Sequence, residues 1–440
     1  MPPAARTLSN RVRSSLFLVP MLCVLGGVVL AQVLLLVDEW AIDLDARLGA
    51  TVDSARTVLT TVAGATLAFA GVAFSVSLLV ISMASNQYSP RVVHGLFRDP
   101  FNKRVMGLVI GTFTYCLVVL RAVRSPAEQG VSPVVPSISI WVALVLGIVS
   151  VLAIVGFINH SAHSMDASQI LHRVTREALD QVRRAWPEEG PEAPATLSGP
   201  LTPDPGSGDV TAVRSRGDGW VQHVDHHGIL AALPRGGAAV LRTAAGYYAL
   251  RSSILCELWV PGDRPDETVT DAVRDAVTVG RTRTLDQDVS HGVRQLVDVA
   301  LRGMSPGVND PTTAHDALCH AATVLTELLR RVPPSSVLTG EDGRELRLPL
   351  ATTHEELVAV AFDEVRLASA DHPVTLVRIM DLIAQVLRAL DDLERPEAER
   401  ALHRQAALVR ELGERAAALD ADRQLVRETH DRHFGSPASQ

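Results

Sequence analysis

The chain has a single lysine, Lys103; its other 40 basic residues are all arginine. That excludes Schiff-base chemistry, a P-loop lysine, and a biotinyl or lipoyl attachment site in the C-terminal half. Cysteine is scarce too: Cys23 and Cys116 fall in apolar segments, and Cys256 and Cys319 lie far apart. No CxxC spacing exists, so neither a zinc site nor a disulfide framework is expected. An excess of basic charge is also missing. The formal net charge is −8, which argues against nucleic acid as a partner. Walker and Rossmann glycines are absent, and no nucleophile–base pair or triad spacing is visible. No catalytic residue, cofactor or metal is therefore assigned.

What is present is length and apolarity. With 440 residues, two or three domains are expected, and 47% hydrophobic against 20% charged fits a membrane part joined to a soluble part. Four apolar runs are long enough or nearly long enough to span a bilayer: about 15–37, 57–85, 105–120 and 138–158. The third would reach only about 24 Å as a helix, with Arg104 and Arg121 placed to snorkel outward. Arg6, Arg11 and Arg13 precede the first run; Arg91, Arg98, Lys103 and Arg104 follow the second; the intervening loop is acidic (Asp38, Glu39, Asp43, Asp45, Asp53). The positive-inside rule then predicts both termini in the cytoplasm of a plasma (inner) membrane protein.

The second run has an unusual face. At alternating steps of four and three it reads Thr57, Thr61, Gly64, Ala68, Gly71, Ser75, Leu78, Ser82, Ser85, Ser89. Such a seam either admits another helix closely or lines a narrow polar path, with Arg91 at its cytoplasmic end. No ionisable residue lies in the seam, which disfavours a transporter coupled through buried carboxylates. In the third run, Gly107 and Gly111 make a GxxxG pattern.

Beyond the spans, residues 161–209 read as a polar helix and a Pro/Gly linker, 210–265 as a small β subdomain, and 266–434 as a helical domain with a hairpin near 338–350. Helices are expected at 268–280, 286–303, 311–331, 354–369, 373–393 and 396–428. The cluster His223, Asp225, His226 and His227 is read as a surface turn. The most distinctive stretch is "GVRQLVDVALRGMSPGVNDPTTAHDA" (292–317). Arg294 and Asp298 are spaced for an i,i+4 ion pair, and Asn309 or Asp310 precedes Pro311 as a helix cap. Asp288, Arg294, Asp298, Asn309, Asp310 and Thr312 are also the candidate lining of a corner for a small anionic ligand or protein partner.

The segments "FSVSLLVISMASNQYSPRVV" (74–93), "GTFTYCLVVLR" (111–121), "GWVQHVD" (219–225) and "RTLDQDVSHGVRQLVDVALRGMSPGVNDPTTAHDAL" (283–318) resemble the domain-of-unknown-function-2254 family of predicted bacterial membrane proteins. The resemblance implies a four-helix membrane part and a cytosolic part, and no established activity. The fold class expected is an α-helical integral membrane protein with four spans and a mainly α, partly β C-terminal region. Two functional classes remain: a homo-oligomeric channel or permeation protein in the lipid bilayer, with a cytosolic assembly or gating domain, and a non-transporting sensor or scaffold.

Overall fold

The computed structural model describes residues 18–40, 51–87, 100–123, 136–163, 167–188, 210–261, 264–349 and 352–435. The chain forms two compact units, Met1–Gln169 and Ile170–Gln440.

The first unit contains α1 (Leu18–Trp40), α2 (Val52–Gln87), α3 (Pro100–Ala122) and α4 (Ser137–His163). Each is long and apolar enough to cross a membrane. The third helix is 23 residues long rather than 16. Backbone hydrogen bonding carries it through Lys103, Arg104 and Arg121, because arginine and lysine are good helix formers whatever their charge. Helix α2 has 36 residues, about 54 Å of helix, and Val52–Leu79 of it is a candidate membrane span. The break expected at Pro90 lies outside the described residues.

Small residues set how α1 and α3 meet. A Cβ built on Gly27 would stand 2.6 Å from the carbonyl oxygen of Gly111, and one on Gly107 would stand 2.7 Å from Cys23 Sγ. The GxxxG pair of α3 is thus used inside the unit, as close-approach faces are. Leu59, Ala63, Tyr115, Val119 and Ala143 build the adjoining core. Asp38, at the end of α1 and buried, accepts hydrogen bonds from the backbone N–H of Ile138 (2.8 Å) and Ser139 (3.1 Å) and from the Ser139 hydroxyl (2.6 Å). These are free donors of the first turn of α4, so a carboxylate is the natural cap there.

The second unit begins with α5 (Ala167–Ala185), which buries Ile170, Leu171, Val174, Ala178 and Val182 along one face. The buried face makes this helix part of the second unit's core. A Cβ on Gly292 would meet the Ala178 methyl, so the two helices approach at a glycine.

The β elements are β1 (Thr211–Arg214), β2 (Gly219–Val224), β3 (Ala238–Leu241), β4 (Tyr248–Ala249), β5 (Ile254–Trp259), β6 (Val277–Gly280), β7 (Val337–Thr339) and β8 (Glu345–Arg347). One sheet has the order β1-β5-β3-β8-β7, the other β4-β2-β6. All pairings are antiparallel except β3 with β8. The short helices α6 (His226–Ala232) and α7 (Glu267–Asp275) accompany the strands. Around them pack Val221, Val224, Ile229, Leu241, Leu258 and Leu346.

Two expectations are revised here. The hairpin near 338–350 joins the five-stranded sheet through β8, more than 80 residues downstream of β5, and is not an appendage of the helical region. The helix expected over 268–280 stops at Asp275, and Val277–Gly280 pairs with β2. Val277, Thr278 and Val279 are β-branched, and a partner strand decides the matter against helical periodicity.

The remaining helices are α8 (Val289–Gly303), α9 (Pro311–Arg330), α10 (His354–Ala368), α11 (Pro373–Arg388), α12 (Pro396–Ala416) and α13 (Asp420–Phe434). The single helix expected over 396–428 is in fact α12 and α13. No proline or glycine marks that break. The fold-back places Val426 against Gly413, where a Cβ would lie 2.9 Å from Val426 Cγ1.

Candidate functional site

The outer face of α2 is defined by what it does not touch. Ala55, Leu59, Ala63, Thr66 and Ala73 turn inward and are buried. Thr57, Thr61, Gly64, Ala68, Gly71, Ser75, Leu78 and Ser82 are all exposed. A Cβ placed on Gly64 or on Gly71 would meet nothing within 4 Å. The seam therefore packs against no described part of its own unit. Glycine in a helix interior costs about 1 kcal/mol relative to alanine, and here that cost is offset by no internal close approach. The Ser75 hydroxyl donates to the Gly71 carbonyl at 3.0 Å on this exposed face. Leu78 is 51% exposed and is the one bulky residue of the seam between Thr57 and Ser82. Ser85 lies on the same helix, and Arg91 is outside the described residues.

The candidate corner of the second unit resolves into two separate places. Asp288 caps the N-terminus of α8, and Asn309 and Asp310 follow its C-terminus, so the 15 residues of the helix, about 22 Å, separate them. Each end is a completed local structure. Asp288 is 5% exposed; its carboxylate accepts from Arg283 Nε at 2.5 Å, Arg283 Nη2 at 3.1 Å, the Ser290 hydroxyl at 2.9 Å and the His291 N–H at 3.2 Å. Gly246, at φ +89°, passes so close that any Cβ would collide with this carboxylate. Arg283 also lies over the Trp220 ring, 5.8 Å from its centroid. Beside it, Gln287, in the left-handed region at φ +60°, exchanges two hydrogen bonds with the Val224 backbone (2.8 and 2.9 Å), extending β2 by a side chain.

At the other end, Asp310 accepts from the N–H groups of Thr312 (3.1 Å) and Thr313 (3.0 Å) and from the Thr313 hydroxyl (2.5 Å). Those hydrogen bonds, led by the hydroxyl, hold its carboxyl below the usual carboxylate range. Asn309 takes φ +48°, and its N–H donates to the Ser305 carbonyl at 2.8 Å. Midway along α8, Arg294 bridges Asp298 at 2.9 Å and Glu364 of α10, tying two helices of the bundle. Ligand chemistry at this motif would have to displace these internal partners.

The histidine cluster is likewise structural. Asp225 caps α6 by accepting from the Gly228 N–H at 3.0 Å, and His223 pairs with Asp286 at 2.9 Å. Burial lowers the pKa of His226. Among the described residues no group of three His, Cys, Asp or Glu side chains is arranged to hold a metal ion. Arg283 and Gly246 carry much of this geometry and were not singled out by sequence. Arg283 had a signal, since it opens the same motif as Asp288; Gly246 had none.

The comparisons agree with this picture of a membrane-embedded chain. The pattern of the family described as "Predicted membrane protein (DUF2254)" matches residues 13–385. Similar proteins include the uncharacterized protein Rv1290c of Mycobacterium tuberculosis and the uncharacterized protein Mb1321c of Mycobacterium bovis. Each is 29% identical over 381 residues, covering 86% of this chain and 71% of the relative. No solved structure matches it.

Proposed function

Starting from the fact that the chain belongs to the DUF2254 family of predicted membrane proteins, we propose that it assembles as a homo-oligomeric channel or permeation protein of the plasma membrane. In this reading α2 stands at the symmetry axis, both termini are cytoplasmic, and the second unit serves assembly or gating. The observation that carries it is the exposed seam of α2, with Gly64 and Gly71 open to the outside. Lipid tails pack against leucine and valine as well as against glycine, so a lipid-facing seam of small and hydroxylated residues gains nothing from its composition. A neighbouring copy, or a water-filled path bordered by copies, gives the seam a use. The GxxxG pair of α3 supplies the internal contrast, because its glycines are consumed against α1. Thr61, Ser75 and Ser82 would offer hydroxyls along the path, Leu78 a hydrophobic constriction able to gate by dewetting, and a ring of Arg91 a preference for anions. The arginine bias of the first tail and second loop supports the orientation.

The test is oligomeric mass in mild detergent together with flux in proteoliposomes. An oligomer whose Leu78→Ser variant leaks several-fold more, and whose Arg91→Glu variant shifts toward cations, is the expected result. A monomer, or flux indifferent to both substitutions, would overturn the channel reading and leave the sensor or scaffold.

A further inference from the structure

The turn between β3 and β5 carries three large apolar or aromatic side chains in four positions, none of them covered. Tyr247 is 58% exposed, Tyr248 52% and Leu250 63%. No other stretch of the second unit's described residues exposes three such side chains so close together. Isolated exposed apolar residues are ordinary; a contiguous group marks a contact surface.

The turn is also rigid. The Gly246 N–H donates to the Val221 carbonyl at 2.9 Å, and the Val221 N–H to the Tyr247 carbonyl at 2.8 Å. The Arg251 N–H donates to Asp218 Oδ1 at 2.5 Å, and Arg214 holds the Ser252 carbonyl at 2.8 Å. Gly246 (φ +89°) and Ser252 (φ +67°) make the two corners. The Tyr248 ring meets Trp220 edge-on at 5.3 Å. A backbone fixed this firmly loses little entropy when its side chains dock.

Chemistry selects the occupant. Tyrosine combines an apolar ring with a hydroxyl and is enriched where hydrocarbon meets water. The Arg251 side chain is exposed beside the patch, and so is Arg281, which follows β6 at the opposite edge of the same three-stranded sheet; both suit anionic headgroups. Of the acids nearby, Asp218 accepts the Arg251 N–H, and Asp288 is buried against Arg283. Strand addition by a protein partner is a poor fit, because β4 is an edge of only two residues. A bilayer is always at hand, since four spans precede the second unit in the same chain. We infer that the Tyr247–Tyr248–Leu250 turn is a membrane-surface contact, inserting its aromatic and leucine side chains at the headgroup level of an anionic bilayer. This goes beyond the channel reading and does not depend on it.

The experiment uses the full chain in nanodiscs of phosphatidylethanolamine and phosphatidylglycerol. The photoreactive residue p-benzoylphenylalanine replaces Tyr247, an exposed position that tolerates a larger ring. Irradiation is expected to add lipid mass to the protein, as it does with the probe at Leu79 in α2, while the same probe at exposed Leu419 adds none. Serine at both Tyr248 and Leu250 should lower the Tyr247 lipid adduct at least five-fold. A Tyr247 probe that yields no lipid adduct while Leu79 does, or that joins a protein instead, would overturn the inference; so would an adduct unaffected by the double substitution.

Discussion

Gly27 and Gly111 face each other across α1 and α3 with no room for a methyl group: a Cβ on Gly27 would lie 2.6 Å from the Gly111 carbonyl oxygen. Gly64, on α2, has nothing within 4 Å. The same residue type in the same membrane unit therefore has opposite tolerance for substitution. Gly111→Val should separate α1 from α3 and destabilise the unit by about 1–3 kcal/mol, the usual cost of overpacking, read as loss of folded protein on heating in detergent. Gly64→Leu should leave the monomer's thermal stability unchanged and abolish the oligomer in native mass measurements.

Gly246 and Asp288 give a second steric prediction. Gly246→Ala adds a methyl group where the Asp288 carboxylate sits, at a φ of +89° that L residues rarely adopt. A loss of about 1–3 kcal/mol is expected. It should be matched by Asp288→Ala, which leaves Arg283 without its buried partner. Chemical denaturation of the second unit in the full chain measures both.

Asp310→Ala should cost about 1 kcal/mol, the value of a helix N-cap. Because the native carboxyl titrates below its ordinary range, its contribution is present above the unfolded-state pKa and is lost as pH falls through the native one. The wild type and Asp310→Ala should thus converge in stability in acid, and Asp310→Asn should retain much of the cap. Thermal melts at several pH values decide this.

A second pH effect comes from buried and half-buried imidazoles. His226, His315, His320 and His354 all titrate below the ordinary 6.5, with burial as the largest cause. His354, for example, is buried beside Trp186 with its Nε2 3.2 Å from the Arg331 carbonyl. The unfolded chain binds protons at these sites before the folded one does, so stability is fully present above 6.5 and falls as pH drops below it. Replacing His354 by Gln should shallow that fall.

Orientation is checked by labelling. A cysteine in place of Asp45 should react with an impermeant external thiol reagent on intact cells, and one in place of Gly206 should not; the reverse pattern would exclude cytoplasmic termini.

Membership of a four-span membrane class was legible in the chain because a bilayer imposes about 20 apolar residues on every helix that crosses it, and the seam of α2 was legible because helical spacing alone puts residues on one face. The cap at Asp310 and the Arg294–Asp298 pair could be read for the same reason: their partners lie within four residues; Asp288 was read only as lining of a corner, not as a cap. Contacts distant in sequence could not. That the GxxxG of α3 is filled by α1 while the seam of α2 is left open, that Asp38 caps a helix 100 residues away, that β8 enters a sheet begun at β1, and that Asp288 and Asp310 stand at opposite ends of one helix are all consequences of tertiary packing. Local periodicity says which face a residue occupies; only the fold decides which surface covers that face, or that no described part of its unit does.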